Sequence, residues 1–166
     1  GNAGLRTAEI LDKVVLKKGD LANPGTLASD EEAIRSLYID KGYTDVTVSG
    51  STAPGDAPNT VTVIFQVSEG LPTTIREVRF SGNTFASDTT LRNIMKTKAQ
   101  GLFNPGVFQE QKLAEDGAAI VEYYGSKGFV DAKVERMERS IDVVDNKRAL
   151  VLTVYVSEGE IWNYGG

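Results

Sequence analysis

The chain has 166 residues, enough for one domain or two small ones, and its 40% hydrophobic and 25% charged residues are the balance of an ordinary globular protein. Its net charge of −5 argues against a nucleic-acid surface, which needs clustered Lys and Arg. Cysteine and histidine are absent, which excludes disulfides, thiol nucleophiles, Cys- or His-ligated metals and a histidine general base, and leaves carboxylate chemistry from 23 Asp and Glu.

No apolar run approaches the roughly 18 residues of a membrane-spanning helix, and the first residues do not read as a signal peptide. The chain opens on Gly1-Asn2, a turn. Pro24-Gly25 breaks the chain, and a helix follows with Asp30, Ile34 and Tyr38 along it. It stops at "KGYTDVTV" from Lys41, where Gly42 supplies a left-handed residue, Tyr43 folds back over the helix end and Asp45 opens a strand. That strand is expected over Thr44 to Ser49. "APGDAPN" (Ala53 to Asn59) is a hairpin loop, and "VTVIFQV" (Val61 to Val67) is a nearly uncharged, β-branched strand. "SEGLPTT" (Ser68 to Thr74) reads as a short, stiff linker, because Pro72 fixes its own φ and biases Leu71 toward an extended conformation.

"TIREVRF" (Thr74 to Phe80) alternates apolar and charged residues and predicts a strand. Ser87 and Asp88 are helix caps ahead of Leu91, Ile94 and Met95 at helical spacing. "AQGLFNPG" (Ala99 to Gly106) ends that helix. It lacks the Lys-Ser/Thr of a phosphate loop, and Phe103 is expected in the core. A second helix is predicted from about Gln109 to Ser126, with Leu113, Ala114, Gly117, Ile120, Val121 and Tyr124 on one face. "KGFVDAKV" from Lys127 then ends it as the first copy did. Asp131 to Glu138 and "RALVLTVYV" form a hairpin around the polar "DVVDNK". Asp142, Asp145 and Asn146 lack the alternation and bidentate Glu of a calcium loop, so no metal is expected there.

The recurrences keep their order. Gly1-Asn2 matches Gly82-Asn83, and Pro24-Gly25 matches Pro105-Gly106. Asp30, Ile34 and Tyr38 match Asp116, Ile120 and Tyr124, and "VSEG" at Val67 matches "VSEG" at Val156. Five matches in one order imply two tandem copies of a unit of strand, helix, helix, strand, strand. Short connections then give a three-stranded mixed sheet, in the order first, third, second, with both helices on one face. The fold class is α+β, with units over 1–70 and 71–159. The first unit lacks its first strand, and 160–166 look like the start of a following unit.

The order, the "GN" after the first strand, the "Y…KG(Y/F).D…V" joint and the closing "V.EG" resemble POTRA domains, the polypeptide-transport-associated repeats, and most nearly those of the BamA family of outer-membrane assembly proteins. The resemblance covers both units. It implies a non-enzymatic module without a cofactor: the soluble periplasmic arm of an outer-membrane protein, with adjacent POTRA units and a C-terminal β-barrel in the full-length protein. Its implied partners are unfolded outer-membrane proteins, received by β-augmentation, and accessory lipoproteins, with no nucleic acid. The alternatives are a POTRA module of a two-partner secretion or organelle import transporter or of a division protein, and, on another class of fold, a carboxylate enzyme with two acids in one cleft.

From the topology, the second strands are exposed edges open to an added strand. The candidate polypeptide-binding residues are Thr44, Val46, Thr47, Val48 and Ser49 in the first unit, and Ala132, Lys133, Val134, Glu135 and Arg136 in the second. The first unit's third strand is expected to have a further open edge at Val61, Val63, Phe65 and Val67. Self-association through "EIWNY", with Ile161, Trp162 and Tyr164 of a neighbouring copy, is expected to cover it, since a strand cut short cannot bury Trp162.

Overall fold

A computed structural model describes residues 1–162, in two compact units that divide between Pro72 and Thr73. The first contains α1 (Thr7–Leu11), α2 (Pro24–Asp40), β1 (Thr47–Pro54) and β2 (Val61–Ser68). The second contains β3 (Thr73–Ser81), α3 (Asp88–Ile94), α4 (Glu110–Ser126), β4 (Lys133–Val144) and β5 (Lys147–Ser157). In the second unit β5 is central, with β3 parallel on one side and β4 antiparallel on the other, which is the mixed order read from the sequence. Among the described residues the first unit's sheet holds β1 and β2 alone, paired antiparallel.

The helices start where short polar side chains satisfy their first N–H groups. Asn23 accepts from Thr26 N with Pro24 in the first turn of α2, and Ser87 accepts from Thr90 N at α3. The tripeptide Asn-Pro-Gly has different fates in the two units. At Asn23–Gly25 it opens α2. At Asn104–Gly106 it stays in a loop, because Gly106 O accepts from Ile75 N at 2.6 Å and draws the segment along β3 before α4 begins. Both long helices end as expected: Gly42 and Gly128 take φ of 91° and 92°, and Phe129 is buried while Tyr43 packs on the first unit's core.

Several expectations are corrected. Asp45 and Asp131 lie in the turn before the strands, so Thr44, Val46 and Ala132 precede β1 and β4, which begin at Thr47 and Lys133. Val46 and Ala132 are buried against the helices, and this packing holds the chain off the ladder for those residues. On α4 the buried residues are Leu113, Asp116, Ile120 and Tyr124, while Ala114 and Val121 are exposed. Phe103 is 96% exposed, since Gly101 and Asn104 pair with each other and turn the Leu102-Phe103 tip outward.

Buried carboxylates organise both cores. Asp30 accepts from Val15 N at 2.7 Å and Leu16 N at 3.1 Å, and Asp116 accepts from the equivalent Lys96 N and Thr97 N. Each aspartate thereby ties a long helix to the loop leaving the short one. Glu69 accepts from Tyr38 Oη at 2.8 Å and from Gly4 N at 3.0 Å; Glu158 accepts from Tyr124 Oη at 2.8 Å, Phe85 N at 2.9 Å and Thr84 Oγ1. The recurring "GN", "Y" and "EG" elements thus meet at one point in each unit. Burial opposes the Glu158 charge, but its hydroxyl and backbone donors outweigh burial and hold the carboxyl below its ordinary 4.5. Burial and the facing carboxylate together push the Tyr124 phenol well up.

A carboxyl depressed on folding stabilises the native state above the unfolded value and loses that contribution as pH falls through the folded value. We expect Glu158→Gln to cost the second unit about 1–3 kcal/mol at neutral pH, as donors lose a charged acceptor. We also expect it to flatten the fall in stability below pH 4.5 that the native chain shows. Urea denaturation at a series of pH values measures both; equal slopes in the two proteins would remove Glu158 as the acid-sensitive group.

Candidate functional site: the free strand edges

Backbone donors and acceptors left unpaired at a sheet edge are the groups able to take another strand. In the second unit the outer side of β3 is partly occupied: Gln100 N donates to Ile75 O at 2.7 Å and Phe108 N to Thr73 O at 3.3 Å. β4 is different. Of its 12 residues all but Glu135 pair with β5, and with β5 alone among the described residues. A register shift between Val134 and Arg136 makes Glu135 the extra residue of a bulge, which twists the edge.

Charges crowd the start of β4. Lys133 faces Glu135 at 3.9 Å, Arg136 pairs with Glu138 at 2.8 Å and stacks 3.7 Å over the Tyr155 ring, and Arg139 pairs with Glu110. Charge and bulge both discourage unselective edge-to-edge aggregation. Further along, Ile141, Val143 and Val144 are exposed, so one continuous edge offers a charged half and an apolar half.

β1 is shorter and carries no charge. Thr47 and Ser49 are exposed as expected, and Val48 turns toward the core. Its edge carries a side-chain plug that the sequence reading missed. Gly50 donates its N–H to Glu31 Oε1 at 2.6 Å, so this donor does not serve the β1–β2 ladder. Glycine leaves room for this contact: a Cβ would fall 2.8 Å from the Leu27 side chain and 2.9 Å from Glu31, so both side chains would have to shift. The second unit has Gly117 after its buried aspartate where the first has Glu31, and so has no such side chain to offer β4. The available signal was a glutamate following Asp30 and a glycine three residues into the strand, which no periodicity connects.

β2 offers the third edge. A groove of about 430 Å³ lies over the paired β1 and β2, lined by Gly1, Thr47, Ser49 and the segment Phe65–Ser68, and Gly1 N donates to Val67 O at 2.7 Å. Val61 is exposed, Val63 and Phe65 are half-buried and Val67 is buried. Of the residues expected to join this edge from another copy, Ile161 and Trp162 are exposed. Trp162 N donates to Gly128 O at 2.8 Å and Trp162 Nε1 to Asp131 Oδ2 at 3.1 Å. Tyr164 lies outside the described residues. Among the described residues no group of three acids is placed to hold a metal ion.

The family model for POTRA, surface antigen variable number repeat, matches residues 1–70 and 73–159. A putative outer membrane protein assembly factor of Treponema pallidum is 36% identical over 170 residues, covering 100% of this chain and 20% of that protein. An outer membrane protein assembly factor BamA of Neorickettsia risticii is 27% identical over 99% of this chain and 22% of that protein. The chain therefore spans about a fifth of the length of these curated relatives. Among solved structures, Haemophilus influenzae BamA POTRA3-5 superposes with a TM-score of 0.56 at 21% identity, over 97% of this chain and 64% of that one, a likeness of fold.

If Glu31 closes the β1 edge, removing it opens that edge. We expect Glu31→Ala to leave the fold intact, to speed hydrogen exchange at Gly50 by about tenfold, and to raise the yield of an extended peptide crosslinked at Ser49. Unchanged exchange at Gly50 would show that Glu31 protects nothing.

Proposed function

This chain belongs to the POTRA family, and we propose that its two repeats form a polypeptide-binding part of the periplasmic arm of an outer-membrane protein assembly factor. The observation that carries the reading is the β4 edge: a 12-residue strand paired on one side, with no side-chain plug among the described residues like Glu31 on β1. Backbone pairing reads few client side chains, so it tolerates many sequences. That property suits a receiver of unfolded outer-membrane proteins. Lys133, Val134, Glu135 and Arg136 begin the receiving edge on this reading, and Thr47, Val48 and Ser49 form the weaker one.

The similarity of the whole chain to outer membrane assembly factors supports the setting. In that setting adjacent POTRA units and a C-terminal β-barrel belong to the same protein, and accessory lipoproteins dock on the arm. The β2 edge at Val61, Val63 and Phe65 takes a further strand on this reading. The repeats act by binding and perform no chemistry.

Photo-crosslinkers placed at Lys133, at Arg136 and, for comparison, at the exposed Ala114 and Val121 of α4 test the main claim with an unfolded β-barrel protein as client. We expect crosslinks at the β4 positions, and a several-fold loss when Val134→Pro disturbs the edge backbone. Crosslinks confined to α4 would overturn the edge reading.

A further inference from the structure

The β4–β5 hairpin runs past the helices that cover its sheet. Ile141 lies opposite Leu150, which is buried in the core, so Ile141 and, two residues on, Val143 face the helix side. α4 begins at Glu110, and Arg139 pairs with that residue while stacking 5.1 Å over the Phe108 ring, so the cover ends level with Arg139. Beyond it Ile141 and Val143 are 49% and 65% exposed, on a face that is core elsewhere in the sheet. Glu138, Ser140 and Asp142 alternate with them and lie on the other face, paired with Thr153, Val151 and Ala149. An apolar face and a polar face thus flank this end of the strand.

The same two residues carry open backbone groups. Asp145 and Asn146 take φ of 50° and 58°, a two-residue turn closed by the pair Val144 and Lys147. Along an antiparallel pair, residues alternate between bonding the neighbour opposite and turning their N–H and C=O away from it. Counted back from the closing pair, Asp142 and Ser140 bond to β5, and Val143, Ile141 and Arg139 present theirs at the open edge. Ile141 and Val143 each offer a backbone donor and acceptor along the edge and an exposed apolar side chain on the helix face.

The hairpin of the first unit has both of these strands and a different end. Val61 and Leu150 each lie six residues before their "VSEG", so Pro54, paired with Val61, stands where Ile141 does. Gly55 N donates to Thr60 O, which leaves the next pair, Pro54 and Val61, turned away from each other. Proline has no N–H to offer at that edge, and β1 ends there, whereas β4 continues to Val144.

We propose that Ile141 and Val143 select, among extended polypeptides, those that alternate apolar and polar residues. The inference rests on the β4 edge reading above and narrows it: the edge backbone accepts any extended chain, and these two side chains add a requirement. A strand added here bonds to the open groups of Ile141 and Val143, and its period of two sends every second side chain to the helix face beside them. Apolar residues in those places cover Ile141 and Val143, and the residues between them meet Ser140 and Asp142 on the polar face. A chain without alternation sets a polar group against two aliphatic side chains, or an apolar one in water. A helix could cover the two side chains but would leave the edge N–H and C=O groups unanswered, so the occupant is a strand.

The test is amide-resolved NMR and hydrogen exchange on the whole chain with two short peptides of one composition in valine, threonine and lysine. One alternates valine with the polar residues, and the other gathers its valines in a block. We expect the alternating peptide to slow exchange at Ile141 and Val143, whose N–H groups are open, and to leave Ser140 and Asp142 unchanged. We expect it to bind about tenfold more tightly than the block peptide, the effect of two favourable cross-strand pairs. Ile141→Thr with Val143→Thr keeps the β-branches and removes the apolar ends, and in that variant the two peptides should bind alike. Should the double variant lose the hairpin, Val143→Thr alone should narrow the difference. Equal binding of both peptides to the native chain, with protection at Ile141 and Val143, would overturn the selection and leave the edge reading standing. Protection confined to residues off β4 would overturn both. Shifts at Ile141 and Val143 that grow with protein concentration and need no peptide would assign the face to a second copy and overturn the proposal.

Discussion

Each repeat depends on a carboxylate held by converging hydrogen bonds, Glu158 buried and Glu69 half-buried near the amino terminus. Glu69 and Glu158 sit at the end of the last strand and take hydrogen bonds from a tyrosine on the long helix and from backbone N–H groups in the loop that opens the repeat. An uncompensated buried charge is costly, and several converging donors offset the cost only while all the elements are in place. The tie therefore couples loop, helix and strand into one unit. The aspartates at Asp30 and Asp116 do the same for the exit of the short helix. With these two fixings the sheet and helices hold their register, and the outer strand edges can stay unpaired without loosening the core.

This explains which letters recur. Tyr38 and Tyr124, Asp30 and Asp116, and Glu69 and Glu158 repeat because each pair makes the same hydrogen bonds in its own unit. The repeat, the mixed sheet order and the helix ends were legible in the sequence, since glycine, proline and apolar spacing signal them locally. The role of Asp116 was not. Hydrophobic periodicity counts apolar side chains, and a carboxylate that caps two backbone N–H groups sits on the buried face of α4 while reading as solvent-facing.

The errors at the edges have a similar origin. β1 runs on through Ser51, Thr52 and Ala53 to Pro54, a stretch of low strand preference, because pairing with β2 supplies what propensity does not. Phe103 reads as core by type alone, yet the Gly101–Asn104 pairing turns it outward. The Glu31–Gly50 contact was beyond any local rule: residues 19 apart meet only once α2 lies across β1, where Gly50 leaves room for the glutamate side chain.

Two copies of one fold in a single chain separate structure from use. Positions shared by both copies answer to the common fold, and positions that differ without disturbing it are free to answer to something else. Glu31 against Gly117 sets whether a side chain reaches the neighbouring strand edge, and Leu16 against Thr97 sets whether the residue bound to the aspartate is apolar or carries a hydroxyl. Both differences fall on the residue next to a shared carboxylate or on the N–H it binds, where the backbone is held most firmly. A rigid backbone at those points lets one side chain change without moving its neighbours, so the ties that build the repeat also leave its two copies free to differ beside them.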